Sequence, residues 1–288
     1  MNKNYWYTLV WVLMALGVLF AVKAATEGGE PEISWRLVPM DGHRASVCCV
    51  TAENSSTALG VFTDDGYESP AGVSYPSDSP VAEVASILMD AQPELSKLKV
   101  VVGHSARMML NLRTDPDLPL GNLFADVLRE RGSREFGVHM DFAVTNFGGI
   151  RTPLPEGAIT LEDVNSMFPF KNYMCYVVMK GSNLLKLLEK LAGTKAFQAT
   201  SGARIHVKDH KLVDATVGGK PINPKRLYNI TTIDFLLDGG DRINIGALAE
   251  KVVLSKVLLR DVMLDYVKDC ESKGIVIDFA ADGRVVME

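Results

Sequence analysis

Apolar residues recur along the 288-residue chain in two rhythms: every third or fourth position, as helices require, and short unbroken or alternating runs, as strands require. Residues 80–89 carry the helical spacing, with Ser79 as cap and Pro80 in the first turn. Residues 121–131 form the next amphipathic helix, closed by Gly132. Residues 160–168 predict a short helix capped at Thr160, with Glu162 and Asp163 in its first turn. Residues 183–191 present a broad leucine face, and residues 254–266 predict the last long helix. Strands are predicted at residues 99–103, 142–144, 173–179, 204–207, 227–232 and 283–286, with residues 211–213 pairing onto 204–207 as a hairpin. Residues 55–80 are rich in Ser, Gly, Pro and Asp and predict loop and turns, notably at Asp64-Asp65-Gly66 and Pro70-Ala71-Gly72. No repeat of fixed period is visible.

The N-terminus follows neither rhythm. Residues 8–22 are an almost unbroken apolar run behind a start whose only charge is Lys3, and Val22-Lys23-Ala24 places small residues where a signal peptidase cuts. Residues 1–24 are therefore predicted as a secretory signal peptide. The alternative is an uncleaved anchor, because the run approaches the length that crosses a bilayer. No cysteine ends the run, which argues against a bacterial lipoprotein. The mature chain is expected to be exported, to a periplasm, with no stable membrane span after cleavage. Residues 25–34 read as a polar tether, and residues 35–50 as a strand-like stretch broken by a turn at Met40-Asp41-Gly42-His43. The expected organisation is an extension over residues 25–95, packed on a main domain over residues 96–288.

Composition narrows the chemistry. A hydrophobic content of 47% with 23% charged residues suits an ordinary globular core, and the net charge of -5 argues against nucleic acid as a partner. The four cysteines, Cys48, Cys49, Cys175 and Cys270, have no metal-ligand spacing. Packing is their favoured role, although an oxidising compartment permits a disulfide. Asp41 and His43 make an Asp-x-His pair of the kind that opens a two-metal phosphatase site. With only five histidines, and no His-x-His or Asn-His-Glu cluster, they read as a turn.

The chemistry-bearing residues gather on loops between the predicted elements. Residues 142–144 run into Asn146, Gly148, Gly149 and Arg151, where paired glycines permit positive φ and close approach of a ligand to the main chain. An amide and a guanidinium flanking such a turn suit an anionic, hydrogen-bonding guest. Pro169 forces Phe170 onto a loop beside Lys171 and Asn172, and Phe235 precedes Gly239, Gly240 and Asp241. Two separated rings can sandwich a planar base, each stack contributing about 1–3 kcal/mol. Asn146 and Asn172 can bond its edge, Asp241 can accept from two ribose hydroxyls, and Arg151 and Arg113 can meet phosphate oxygens. The plain alternatives are that both rings belong to the core and that Asp241 is a turn residue.

Taken together, these stretches resemble the C-terminal, substrate-binding domain of the 5'-nucleotidase / UDP-sugar hydrolase family. The resemblance rests on Asn146-Phe147-Gly148-Gly149-Ile150-Arg151, on Pro169-Phe170-Lys171-Asn172, on the stretch from Asp234 and Phe235 to Gly239-Gly240-Asp241, and on Leu120-Gly121-Asn122-Leu123 followed by Ala125-Asp126. It covers roughly residues 95 to 245. It implies a mixed α/β (α+β) fold of layered mixed sheets flanked by helices. It further implies that Phe170 and Phe235 stack on the base, that Asn146 and Arg151 line the site, that Asp241 binds the ribose and that Gly202 lies beside the base. Phe147 stands where the family has the first of three glycines, which implies a tighter turn or one partly capped by a ring. The family's loop arginine aligns with Thr114, with Arg113 one place away as its substitute.

Family enzymes also carry an N-terminal metallophosphatase domain with two metal ions, and residues 25–95 are too short for it and lack its ligands. The resemblance thus implies a nucleotide- or nucleoside-binding half of a split 5'-nucleotidase, with hydrolysis and divalent metals supplied by a separately encoded metallophosphatase. No cofactor is expected in this chain. The alternative is a nucleotide-binding or scavenging module with no catalytic partner.

Overall fold

Local turn chemistry shapes the first part of the fold. A computed structural model describes residues 59–112, 115–194 and 197–288. The signal-peptide and tether readings, Asp41, His43, Cys48, Cys49 and Arg113 all lie outside the described residues. Residues 59–80 are not the loop that their composition predicts. They form an antiparallel meander of β1 (Val61–Thr63), β2 (Gly66–Glu68) and β3 (Ser74–Tyr75), with Gly66 and Gly72 at positive φ at its turns. Strands of two or three residues are too short to show a period, which is why the turn residues dominate their composition. Helix α1 (Pro80–Ser96) follows, capped as predicted by Ser79, whose Oγ accepts from the Ala82 amide at 3.2 Å. Tyr67 packs on Ala82 and Ala85 in a small apolar cluster.

The remaining chain runs β4 (Val101–Ser105), α2 (Pro119–Phe136), β5 (Phe142–Thr145), β6 (Gly157–Thr160), α3 (Leu161–Met167), β7 (Tyr173–Lys180), α4 (Gly181–Ala192) and β8 (Ala199–Ser201). It continues through β9 (Ala203–Lys208), β10 (Lys211–Val217), β11 (Lys220–Pro221), β12 (Leu227–Ile233), β13 (Lys251–Leu258), α5 (Leu259–Ser272) and β14 (Val285–Met287). A five-stranded sheet has the order β13-β7-β12-β5-β8, antiparallel except for the β12–β5 pair. A four-stranded sheet has the order β11-β10-β9-β14, with β14 parallel to β9, and β4 pairs with β6. Helices flank these layers, and the architecture is the mixed α/β one that the sequence implies.

Helix α2 lies on the five-stranded sheet and is buried along most of its length. Leu120, Leu123, Phe124 and Leu128 meet Phe142 and Val144 of β5, Val177 of β7 and Ile230 of β12 in one core. Each such side chain removed from water contributes about 1.5–3 kcal/mol. Gly132 does not end this helix. It lies inside it, where an added Cβ would sit 2.1 Å from Thr231 Oγ1, so its bareness lets the helix cross β12 closely. The stop is Gly137, left-handed at φ 65.

Residues 254–258 also differ from expectation, completing strand β13 rather than opening the predicted helix. Their apolar positions satisfy both periods. The outcome is decided by pairing with β7, Val252 opposite Val177 and Leu254 opposite Cys175. As an edge strand it leaves Leu254 65% exposed. The helix begins only at Leu259.

Candidate nucleoside-binding pocket

The turn after β5 is held from three directions. Gly149 N donates to Asn146 O and Ile150 N to Phe147 O, each at 3.1 Å, making one tight helical turn. The Phe147 amide donates to Gln198 Oε1 at 2.9 Å. Asn111 Nδ2 donates to the carbonyls of Phe147 (2.7 Å) and Ile150 (2.6 Å), tying the turn to the loop before α2. The Phe147 ring does not cap the pocket. It is buried beneath the turn with Leu118, Ala125 and Ala199, and Gly121 makes room for it, since a Cβ there would lie 2.3 Å from Phe147 Cε1.

Gly148 and Gly149 are required for space rather than for positive φ, which neither adopts. A Cβ on Gly149 would come within 2.8 Å of Asn146 Oδ1, and one on Gly148 within 3.2 Å of Asn146 Nδ2 and 3.6 Å of Asp241 Oδ2. The Asn146 amide thus lies flat against the glycines. Its Nδ2 donates to Asp241 Oδ2 at 2.7 Å, and its Oδ1, although buried, has no hydrogen-bond partner.

Phe235 sits on a single turn between β12 and the glycines, with its amide donating to Asp234 Oδ1 at 2.8 Å. Gly240 packs directly on it, and a Cβ there would be 2.1 Å from Phe235 O and 2.6 Å from the ring. Gly239 is left-handed at φ 93, and so are two non-glycine residues just beyond it, Asp241 (φ 50) and Arg242 (φ 62). Consecutive non-glycine residues in this region carry strain. On the opposite loop Phe170 follows Pro169, and the Arg151 guanidinium lies 5.7 Å from its ring centroid. Arg151 Nη1 donates to Gly148 O at 3.3 Å. Neither ring is in the core: Phe170 is 48% and Phe235 42% exposed.

Six residues singled out from the sequence therefore line one pocket of about 320 Å³, namely Asn146, Arg151, Phe170, Asn172, Phe235 and Asp241, with Gly148 and Gly149 in its wall. Gly202 is not among them. It is left-handed at φ 83, a Cβ on it would lie 2.2 Å from Asp141 O, and it lines a different hollow. Its positive φ and close approach to Asp141 account for the glycine there. Asn111 and Gln198, which shape the turn, escaped the sequence reading because nothing local marks a side chain that bonds a distant carbonyl or amide.

Among the described residues, no group of three or more His, Cys, Asp or Glu side chains is placed to hold a metal ion. Cys175 and Cys270 are buried free thiols. Burial, and secondarily the negative charge of Asp234, push the Cys175 thiol up to about 12, so it stays protonated and serves packing.

Residues 101–248, about half of the chain, match the model of the 5'-nucleotidase C-terminal domain. The chain belongs to that family. It is 26% identical to Cell wall protein Lmo0130 of Listeria monocytogenes over 73% of this chain and 30% of that protein. It is 32% identical to Silent protein UshA(0) of Salmonella typhimurium over 73% of this chain and 36% of that protein. Among solved structures, the 5'-nucleotidase precursor from Thermus thermophilus superposes with a TM-score of 0.63 at 24% identity, over 72% of this chain and 43% of that one, and shares the fold. The chain thus spans about a third of the length of these two curated relatives. No described helix is long and apolar enough to cross a membrane.

Proposed function

We propose that the chain is the nucleotide- or nucleoside-binding half of an exported, split 5'-nucleotidase, in which a separately encoded metallophosphatase docks and performs hydrolysis. The observation that carries this reading is the single pocket uniting Phe170, Phe235, Asn146, Asp241 and Arg151. The two half-exposed rings, on separate loops, accept the faces of a base. Asp241, with Oδ2 bonded to Asn146, keeps Oδ1 for a ribose hydroxyl. Asn172 supplies a further polar contact, and Asn146 holds Asp241 in place. Among the described residues Arg151 makes no ion pair, which leaves its guanidinium able to meet phosphate. The divalent metals that hydrolysis requires belong, on this reading, to the partner. The Listeria relative's name as a cell wall protein supports export.

Calorimetry with AMP, adenosine and UDP-glucose, run on the native chain and on Phe170→Ala plus Phe235→Ala, tests the pocket. Binding abolished in the double variant is expected. Phosphate release from AMP is expected only when the co-encoded metallophosphatase is added. Release by this chain alone overturns the split-enzyme reading, and binding without release in any mixture makes the chain a nucleotide-binding or scavenging module instead.

A further inference from the structure

The hollow that contains Gly202 has a chemistry of its own. It measures about 300 Å³ and is walled by charged and hydroxyl side chains, chiefly Asp126, Arg129, Ser201, Arg204, Asp282 and Arg284. Arg284 is almost wholly buried. It donates to both oxygens of Asp126 (2.7 and 3.0 Å) and to both oxygens of Asp282 (2.9 Å each), and Nη1 also reaches Thr200 O at 3.0 Å. One guanidinium therefore engages all four carboxylate oxygens in the wall, and its bonds hold the Asp282 carboxyl below the usual range.

Among the described residues, the other two arginines make no ion pair. Arg129, half-buried, donates Nε to Ser201 Oγ at 2.8 Å and Nη1 to Met140 O at 3.4 Å. Among the described residues no carboxylate lies within 4.0 Å of it, and it is the one partly buried arginine there without an ion pair. Arg204 donates Nη1 to the backbone carbonyls of Asp282 (3.1 Å) and Gly283 (3.4 Å); among the described residues it makes no ion pair, although its charge acts on the Asp282 carboxyl from farther off. Thr216 adds a hydroxyl to the same wall, and nothing crowds Gly219 at the rim. Three guanidiniums against two carboxylates leave this hollow net positive in a chain of net charge -5. Guanidinium forks are matched in geometry by oxyanions, and a partly desolvated cation gains most from one.

We propose that this hollow binds a small oxyanion, a phosphate or carboxylate group held between Arg129 and Arg204, at a site separate from the nucleoside pocket. The volume takes inorganic phosphate, a sugar phosphate or a small dicarboxylate. Arg129 supplies the buried fork, Arg204 closes the open side, and the Ser201 and Thr216 hydroxyls turn to the remaining oxygens. Gly219, with nothing near it, keeps the approach open.

The test is a titration of the full chain with inorganic phosphate and, in parallel, succinate at constant ionic strength, followed through the arginine side-chain Nε–H resonances by NMR. A saturable shift at Arg129 and Arg204 is expected. Arg204→Gln, at an exposed position, and Arg129→Lys, which keeps the charge but removes the fork, are each expected to weaken binding by about tenfold or more. The tighter of the two anions assigns the source as phosphate or carboxylate. No saturable shift with either anion, or equal shifts in native and Arg204→Gln protein, overturns the proposal even if Arg129→Lys does not fold. Because the signal comes from Arg129 and not from adenosine at Phe170, this proposal and the nucleoside reading fail independently.

Discussion

Asn146 and Asp241, 95 residues apart in sequence, are joined by a 2.7 Å hydrogen bond from the Asn146 amide to Asp241 Oδ2. The bond couples the turn after β5 to the loop after β12, two parallel neighbours in the five-stranded sheet. It fixes which carboxylate oxygen faces a ligand and keeps the amide against the paired glycines.

Replacing Asp241 with Asn removes the charged acceptor while keeping the shape. Hydrogen bonds to charged groups contribute about 1.5–3 kcal/mol, so adenosine affinity is expected to fall by about 10- to 150-fold with little change in melting temperature. Calorimetry beside thermal denaturation distinguishes this from general unfolding, and an unchanged affinity removes Asp241 from the site.

The glycines divide into two mechanical classes. Gly149→Ala presses on the Asn146 amide, a side chain, and is expected to weaken nucleoside binding more than it lowers stability. Gly132→Ala presses on Thr231 in the core and is expected to cost about 1–3 kcal/mol of stability with binding retained in the folded fraction. Urea denaturation and calorimetry on both variants check the contrast.

Acid should loosen the attachment of β14. The Asp282 carboxyl is held below its ordinary range by hydrogen bonds from Arg284, so its contribution is present above the unfolded-state value and is lost as pH falls through the lowered one. Melting temperature followed through the acidic range is expected to fall less steeply in Asp282→Asn, whose melting temperature at neutral pH is lower from the start. Identical acid limbs in both proteins contradict this.

Cys175 should be inert. With its thiol pushed up to about 12 by burial, almost no thiolate exists at neutral pH. Alkylation followed by mass spectrometry is expected to leave Cys175 unmodified in the native protein and modified after denaturation. Rapid native labelling would show that β7 opens.

Much of this site could be read from the chain because its chemistry sits on short contiguous motifs. Phe170 is forced outward by Pro169, and Phe235 and Asp241 flank their glycines. What was not legible depends on partners distant in sequence. Gly132 resembles a helix stop until Thr231 is seen beneath it, and residues 254–258 fit a helix until β7 claims them as part of an edge strand. Gly202 carries a family position but answers to Asp141 and Arg129. Phe147 looks like an obstruction at the pocket, yet its ring turns inward because Gly121 leaves a gap for it.

The left-handed pair at Asp241 and Arg242 bears on how quickly and how selectively a guest is held. A loop already locked into an unfavourable shape before any guest arrives has little ordering entropy left to lose on association. On the proposed nucleoside reading, discrimination among sugars then falls to this fixed geometry: a ring lacking a hydroxyl opposite the free Asp241 oxygen leaves that oxygen without a donor.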